Sequence, residues 1–593
     1  MKLKHLYMLG AVALMTASCN EDRFLDLKPQ GSLNEDIMTS TEGADLLVNA
    51  AYAALGGPEG QSWSVWCHPT SNWTYGEVRS DNAYKGGGGV GDLNEVHRME
   101  TFDMDATNGF LDSKWYHLYC SVQRCNSALR VLNAATDEQV NGRVSRIAEM
   151  KVLRAHYYFE LSRLFNKIPY FDENVEISQY PDIPNNEFTR DEILSMLAKE
   201  MLDAAEQLPA SQPEVGRIHK YIALAYAAKI KLYQAYQQDE ITHAVTSINK
   251  ELLREVVSLC DQVTASNRYG LLDDFQGLDL VTNENGKESV FAIQYSMNDG
   301  TESAGRINWS NLLNSPGGSP YGGDGFFLPS QDLINAYQTD ANGLPDFNYQ
   351  SKSDYSWAVL NNGVYTLQNT TPNVDPRLDF VVGRPTITWK TYPDKPCEGW
   401  VRDKDTYGYN CAKRFWVSPE SSDMFNGWPW GASQLNWQII RYADILLWKA
   451  EALIELNEGN GLETARDLIN QIRNRARNSA YVKDFNDHSK YAANYLVNPY
   501  PADVWNQDYA RQALRWETRL EKALEGERFF DLVRWGIVET TMNNYITAES
   551  DNRIYYANAH FTGGKDEYYP VPNNQYGFSG GKYVQNPGYA PFN

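Results

Sequence analysis

The chain has 593 residues, with 53 Lys and Arg against 76 Asp and Glu, for a formal net charge of −23. A surface this acidic excludes nucleic acid as a partner, because phosphate binding needs clustered cations. Length and an apolar share of 42% suffice to bury a large core without disulfides.

Lys2 and Lys4 precede an apolar run, Leu6 to Met15, that ends in Thr16-Ala17-Ser18-Cys19. A basic start, a short apolar core and small residues before the cut make a signal peptide over residues 1–18. Ten residues are too few to span a bilayer, and no later segment offers the ~20 apolar residues that a span requires. Small residues directly before Cys19 resemble a bacterial lipoprotein box, with Cys19 as the lipidated N-terminus; Thr16 stands where such boxes usually carry Leu. Ordinary cleavage beside an incidental Cys is the alternative. Asn20 to Gln30 then reads as a polar tether. Removing residues 1–18 takes away two lysines and no acids, so −23 becomes −25. Of the later cysteines, Cys397 and Cys411 either close one disulfide loop or, like Cys67, Cys120, Cys125 and Cys260, remain buried thiols.

Thr41 to Leu55 carries Leu46, Leu47, Ala50, Ala51 and Ala54 at helical spacing, and Gly56-Gly57-Pro58 ends it. Between Gln61 and Gly91 the periodicity dissolves into aromatics among glycines. Helices resume over Leu111–Leu132 and Val144–Phe165. Thr189 with Glu192 forms a capping box that opens a helix to Leu208, and Arg217–Tyr236 and Glu251–Val263 complete the block. Helical periodicity then nearly vanishes from about Tyr269 to Asn436. A structureless loop of that length is improbable inside a domain, so it is expected to be a folded, irregular insert, with strand-like pieces such as Ser289–Tyr295. The second helical block starts at Trp437. Ile439, Ile440, Ala443, Leu446, Leu447, Ala450, Leu453 and Ile454 stripe one helix, Glu458 to Gly461 turns, and Leu462 to Ala476 stripes the next. Two helices joined by a tight turn form a tetratricopeptide-like hairpin, which buries its face only by stacking on others.

Four stretches in order carry a family resemblance: AEMKVLRAHYYFELSRLF from Ala148, RYADILLWKAEALIEL from Arg441, ETRLEKALEGERFFDLVRWG from Glu517, and YYPVPNNQ followed by QNPGY near the end. With Phe24-Leu25-Asp26-Leu27-Lys28-Pro29 after the tether, the chain resembles the SusD/RagB family of Bacteroidetes surface lipoproteins, which capture nutrients for a TonB-dependent outer-membrane transporter. The resemblance implies a mainly α fold of four tetratricopeptide-like hairpins carrying a variable ligand face. One such domain would span 19–593, with a helical scaffold over about 38–268 and 437–540 and the insert over about 269–436. It also implies a SusC-like transporter as partner, an outer-membrane, cell-surface location, and ligand aromatics in loops over the first helical block.

Within the third motif Glu517, Glu521 and Glu525 lie four apart beside Arg519 and Arg528, and Asp531 lies three before Arg534. Set among Phe529, Phe530 and Trp535, these read as buried or half-buried ion pairs that fix the helix against its neighbour rather than as catalytic carboxylates. The nine histidines show no metal-ligand spacing. Asp273, Asp274 and Asp279 offer a structural calcium site or merely a solvated acidic loop. No cofactor motif appears.

Trp, Tyr and Phe make up 13% of the chain, many in glycine-rich loops. An aromatic face stacks on the C–H patch of a pyranose while neighbouring Asn, Gln and Asp take its hydroxyls. Two loops, Trp63–Tyr84 and Trp309–Phe327, have this makeup and supply the candidates Trp66, Trp73, Tyr75, Trp309, Tyr321 and Phe327. Trp73 stands first, since Asn72 and Tyr75 flank it and Gly76 lets backbone approach a ligand. A third loop, Trp428-Pro429-Trp430 onward, is expected to pack on the second scaffold block. The expectation is a binder of oligo- or polysaccharide without chemistry of its own. A peptide binder of the same family, a helical glycoside hydrolase and a pure scaffold are the rivals.

Overall fold

The computed structural model describes residues 39–57, 65–300, 306–396 and 399–592; Cys19, the tether, Trp63 and Cys397 lie outside the described residues. Nine helices carry the architecture: α1 (Thr41–Ala53), α2 (Gly109–Ala134), α3 (Arg143–Phe165), α4 (Arg190–Gln207), α5 (Lys220–Ala235), α6 (Lys250–Ala265), α7 (Tyr442–Leu456), α8 (Gly461–Asn478) and α9 (Gln507–Glu521). Polar side chains cap the start of several of them. Ser40 accepts from Gly43 N, Asn249 from Glu251 and Leu252, and Thr189 with Glu192 forms the expected reciprocal box.

Each helix packs on the next, from α1 through α9. The contact between α6 and α7 joins the two sequence blocks into one stack. Residues 266–441 therefore interrupt the chain between two helices that remain neighbours. On the second block, Ala443, Leu446, Leu447, Ala450 and Ile454 of α7 meet Ala465, Leu468, Ile469 and Ile472 of α8 in a buried cluster, with Leu453 packed half-buried at its margin.

The α7 stripe begins later than its periodicity suggests. Trp437–Arg441, which includes Ile439 and Ile440, is a strand rather than helix, and it pairs antiparallel with Ser289–Ile293. β-Branched residues suit a pleated strand, and the main chain turns helical only where the Asp444 carboxylate accepts from Arg441 N at 2.8 Å. We label the main strands β1 (Ala83–Gly86), β2 (Ser289–Ile293), β3 (Phe326–Pro329) and β4 (Trp437–Arg441). They form two-stranded pairs, β1 with β3 and β2 with β4, that pin the irregular insert to the helices.

The acidic row of α9 fastens the insert more strongly. Glu517 receives Arg377 of the insert at 2.6 Å and Arg473 of α8 at 3.0 Å. Glu521 receives Arg441 at 2.6 Å, Arg377 at 3.0 Å and also Arg475. Glu525, just past α9, receives Lys522 at 2.6 Å, Arg441 at 3.0 Å and Arg414 at 3.3 Å. All are buried. Burial opposes ionisation of Glu521, but the charges of Arg475, Arg441 and Arg377 outweigh it and hold the carboxyl at about 2. The sequence motif is thus a set of interior ion pairs.

Candidate ligand-binding face

Four of the six candidate rings prove to be packing residues. Trp73, only 1% exposed, lies against Phe326 and Phe327 with ring centroids 6.3 and 5.6 Å away. Tyr75 is fully buried and donates to the carbonyls of Cys67 at 2.5 Å and Phe110 at 3.0 Å. Tyr321 donates to Val417 O at 2.6 Å and accepts from Trp389 Nε1 at 3.0 Å, while Phe327 is buried in β3. The glycines that suggested open loops serve backbone contact inside the protein instead. A Cβ at Gly76 would stand 1.9 Å from the carbonyl oxygen of Gly526, so main chain meets main chain there and no ligand can enter. The Gly86–Gly89 run wraps an internal cation: the Lys85 ammonium donates to Gly86 O at 3.0 Å, Gly89 O at 2.8 Å and Asp92 O.

Trp309 and Trp66 remain accessible in part. Trp309 sits at the edge of a polar cleft of about 610 Å³ whose walls are the end of α1 (Asn49, Tyr52, Leu55), Arg217 with Glu214, and Gln294 and Tyr295 after β2. Its loop is tightly held. Ser310 Oγ lies 2.8 Å from Thr70 Oγ1 and 2.5 Å from the Tyr295 hydroxyl, and its carbonyl accepts from Ser71 Oγ.

Of the third aromatic loop, Trp428 to Trp437, the far end is buried with Trp437 in the core, but its tip does not pack on the scaffold. Trp428 and Trp430 are 49% and 47% exposed, and the Trp428 ring stands edge-to-face with Trp309 at 5.7 Å between centroids. Hydrogen bonds tie the two loops side by side: Asn308 N to Ser433 O at 2.8 Å, Asn308 Nδ2 to Leu435 O at 2.7 Å, and Ser315 Oγ to Trp430 O at 2.8 Å. Sequence neighbourhood to α7 suggested packing, yet these bonds draw the loop toward residues more than a hundred positions earlier. The sequence did hold a signal, for Trp428-Pro429-Trp430 is flanked by Gly427 and Gly431, the pattern that drew attention to the other loops.

Trp66 is placed elsewhere. It lines a second cleft, of about 450 Å³, against one face of α2, and the two clefts share no lining residue.

The acids considered for calcium are engaged separately. Asp273 pairs with Lys287 at 2.9 Å, Asp274 accepts from Gln276 N and Ala480 N, and Asp279 is buried between Lys390 and Arg414 at 2.9 and 3.1 Å. Asp279 is therefore an interior ion-pair partner rather than part of a solvated loop. No group of three metal-ligating side chains stands together among the described residues. Cys67, Cys120, Cys125 and Cys260 are free thiols, and burial pushes Cys67 and Cys260 up to about 12. No helix among the described residues is long and apolar enough to cross a membrane.

A family model described as "SusD family" matches residues 287–589, and one described as "Starch-binding associating with outer membrane" matches residues 23–232. The chain is 22% identical over 552 residues to a SusD-like protein of Bacteroides ovatus, covering 89% of this chain and 82% of the relative. A SusD superfamily protein of Bacteroides vulgatus superposes with a TM-score of 0.67 at 20% identity, over 93% of this chain and 99% of the other. Surface glycan-binding protein A of Bacteroides thetaiotaomicron, solved in complex with laminarihexaose, superposes with a TM-score of 0.62 at 20% identity, over 92% and 99% of the two chains.

Proposed function

The chain belongs to the SusD family, and from that premise we propose that it is a lipid-anchored cell-surface protein that captures oligo- or polysaccharide and delivers it to a TonB-dependent outer-membrane transporter. The observation that carries the binding reading is the edge-to-face pair of Trp309 and Trp428, which leaves ring surface open beside a polar cleft. Trp428 and Trp430, half-exposed on one turn, form an aromatic patch of the kind that marks an interaction site. Indole faces stack on the C–H patches of sugar rings, and Gln294, Glu214 and Arg217 stand in the same cleft to take hydroxyls. One of the structures compared, that of Bacteroides thetaiotaomicron, is of a surface glycan-binding protein. The carboxylates of Glu517, Glu521 and Glu525 are each matched to buried cations, which leaves them unavailable for acid–base work on a substrate.

Affinity electrophoresis of the full chain through gels containing laminarin, starch, xylan or mannan tests the reading. Laminarin comes first because the glycan-binding relative above was solved with laminarihexaose. Retardation by at least one glycan without release of reducing sugar is the expected result. Unretarded migration in every gel overturns it. Co-purification with an outer-membrane barrel after mild detergent extraction tests the delivery step, and a preparation that never carries a barrel argues for a free-standing binder.

A further inference from the structure

We propose that the cleft beside α2 is a second, separate saccharide-binding site, with Trp66 and Tyr116 as its stacking rings. The inference rests on the glycan-binding reading but not on the Trp309 face. The last turn of α1 and the residues after it part the two clefts: Ala53, Leu55 and Gly56 face the first, and Ala54 faces the second. Trp66 enters from a short 3₁₀ turn, Val65–Cys67, and is half-covered by the core. Tyr116 stands on α2 with 45% of its surface exposed. At about 450 Å³ the cleft falls within the roughly 300–1,000 Å³ of small-ligand sites.

The chemistry of its walls selects an uncharged polyol. The rings of His68 and His117 stack at 4.3 Å between centroids on the inner wall. His68 Nε2 lies 3.1 Å from Gly57 O and so carries the proton, which leaves Nδ1 to accept from Ser113 Oγ at 3.2 Å. Burial holds His68 at about 4 and pushes His117 well below its ordinary value, so this wall is neutral near pH 7. At the mouth, Asp112 accepts from Asn574 Nδ2 at 2.8 Å and from Gln575 Nε2 at 2.7 Å, and Glu95 is exposed. Arg124 is engaged through Ala50 O at 3.2 Å. Two carboxylates repel an anionic ligand. Two rings, with carboxylates and an amide at their margin, are what a neutral pyranose needs. A chain held in both clefts would bind far more tightly than a short oligosaccharide held in one, because the second contact is intramolecular.

The test is isothermal titration of the full chain with the hexaoses of β-1,3-glucan, α-1,4-glucan, β-1,4-xylan and β-1,4-mannan, followed by affinity electrophoresis on the parent polysaccharides. The expected result is two sites for at least one hexaose. One site should vanish in Tyr116→Ala and in Trp66→Ala, and the other in Trp309→Ala/Trp428→Ala. Polysaccharide retardation should weaken ~10-fold or more in each. Tyr116 is surface-exposed, so Tyr116→Ala keeps the test decisive if Trp66→Ala fails to fold. One site that Trp309→Ala/Trp428→Ala abolishes and Tyr116→Ala leaves intact overturns the second cleft and spares the first. Binding that survives Trp309→Ala/Trp428→Ala and disappears with Tyr116→Ala supports the second cleft and removes the first. A wild-type chain that binds none of the glycans overturns both.

Discussion

Trp428→Ala is the substitution that most directly probes the proposed binding face. A tryptophan buries up to about 250 Å² when fully covered. Trp428 is 49% exposed, so roughly 120 Å² of ring remains for a ligand to cover, worth at most about 3 kcal/mol at 25 cal/mol per Å². Coverage of half that surface gives about 1.5 kcal/mol, so the association constant should fall ~10-fold. The ring's main aromatic neighbour is Trp309, itself partly exposed, so the melting temperature should stay within a degree or two of wild type. Titration with the best-binding hexaose and a thermal melt together read both quantities. Unchanged affinity in a variant of wild-type stability would refute the reasoning, because it would leave the exposed half of Trp428 without a ligand. A large fall in melting temperature would refute it differently, by showing that the ring supports its loop.

Glu521→Gln should destabilise the chain by ~3–5 kcal/mol in chemical denaturation, because three buried guanidinium groups lose their shared counter-charge; a midpoint equal to wild type sinks the ion-pair account. The same carboxyl gives a pH signature. Its folded pKa of about 2 lies below the ~4.3 of an unfolded Glu, so it adds stability above pH ~4.3 that disappears as the pH falls toward 2, by ~3 kcal/mol in all. The acid limb of stability should therefore be shallower in Glu521→Gln, and a parallel limb contradicts this. Trp73→Ala should cost ~3–5 kcal/mol as a core truncation against Phe326 and Phe327, with hexaose affinity preserved in the folded fraction. Cys19→Ala should move the protein from the membrane fraction to the soluble one with its fold intact; a variant that still pellets after a high-salt wash contradicts the lipid anchor.

Whatever the sequence disclosed about the fold was local. Stripes of Leu, Ile and Ala three or four apart predicted the helices to within a few residues, and Thr189 with Glu192 marked one start correctly. Glu517, Glu521 and Glu525 beside Phe529, Phe530 and Trp535 were enough to predict buried or half-buried pairs, although not that their cations come from Arg377 and Arg414 in the insert. The candidate site was legible only in part, because accessibility is decided across the chain. Gly76 reads as an open turn until Gly526, 450 positions later, lies against it, and that contact helps to inter the segment holding Trp73 and Tyr75. Trp428 reads as an appendage of α7 until Asn308 and Ser315 draw its loop toward Trp309. Composition marks which loops are aromatic. It does not mark which rings are covered.

The same geometry explains how a helical stack can carry the proposed ligand face, made almost wholly of irregular chain. Because α6 packs directly on α7, the two helical blocks meet as one stack although residues 266–441 separate them in the chain. The insert is held on the stack by apolar packing, such as Phe347 and Tyr349 against Trp516 of α9, and by directional contacts: the β2–β4 pairing, and Arg377 and Arg414 on Glu517, Glu521 and Glu525. Ion pairs of this kind fix position through geometry rather than through area. Trp309 and Trp428 lie in loops of the insert fixed to one another by bonds from Asn308 and Ser315, with their rings partly exposed. Exposed rings there can change without disturbing the helical stack, so different aromatic arcs can be presented over the same scaffold. By this logic the ligand preference resides in the two loops, and exchanging 306–316 together with 424–435 for those of another chain should transfer it, whereas exchanging either alone should break the bonds that align the rings.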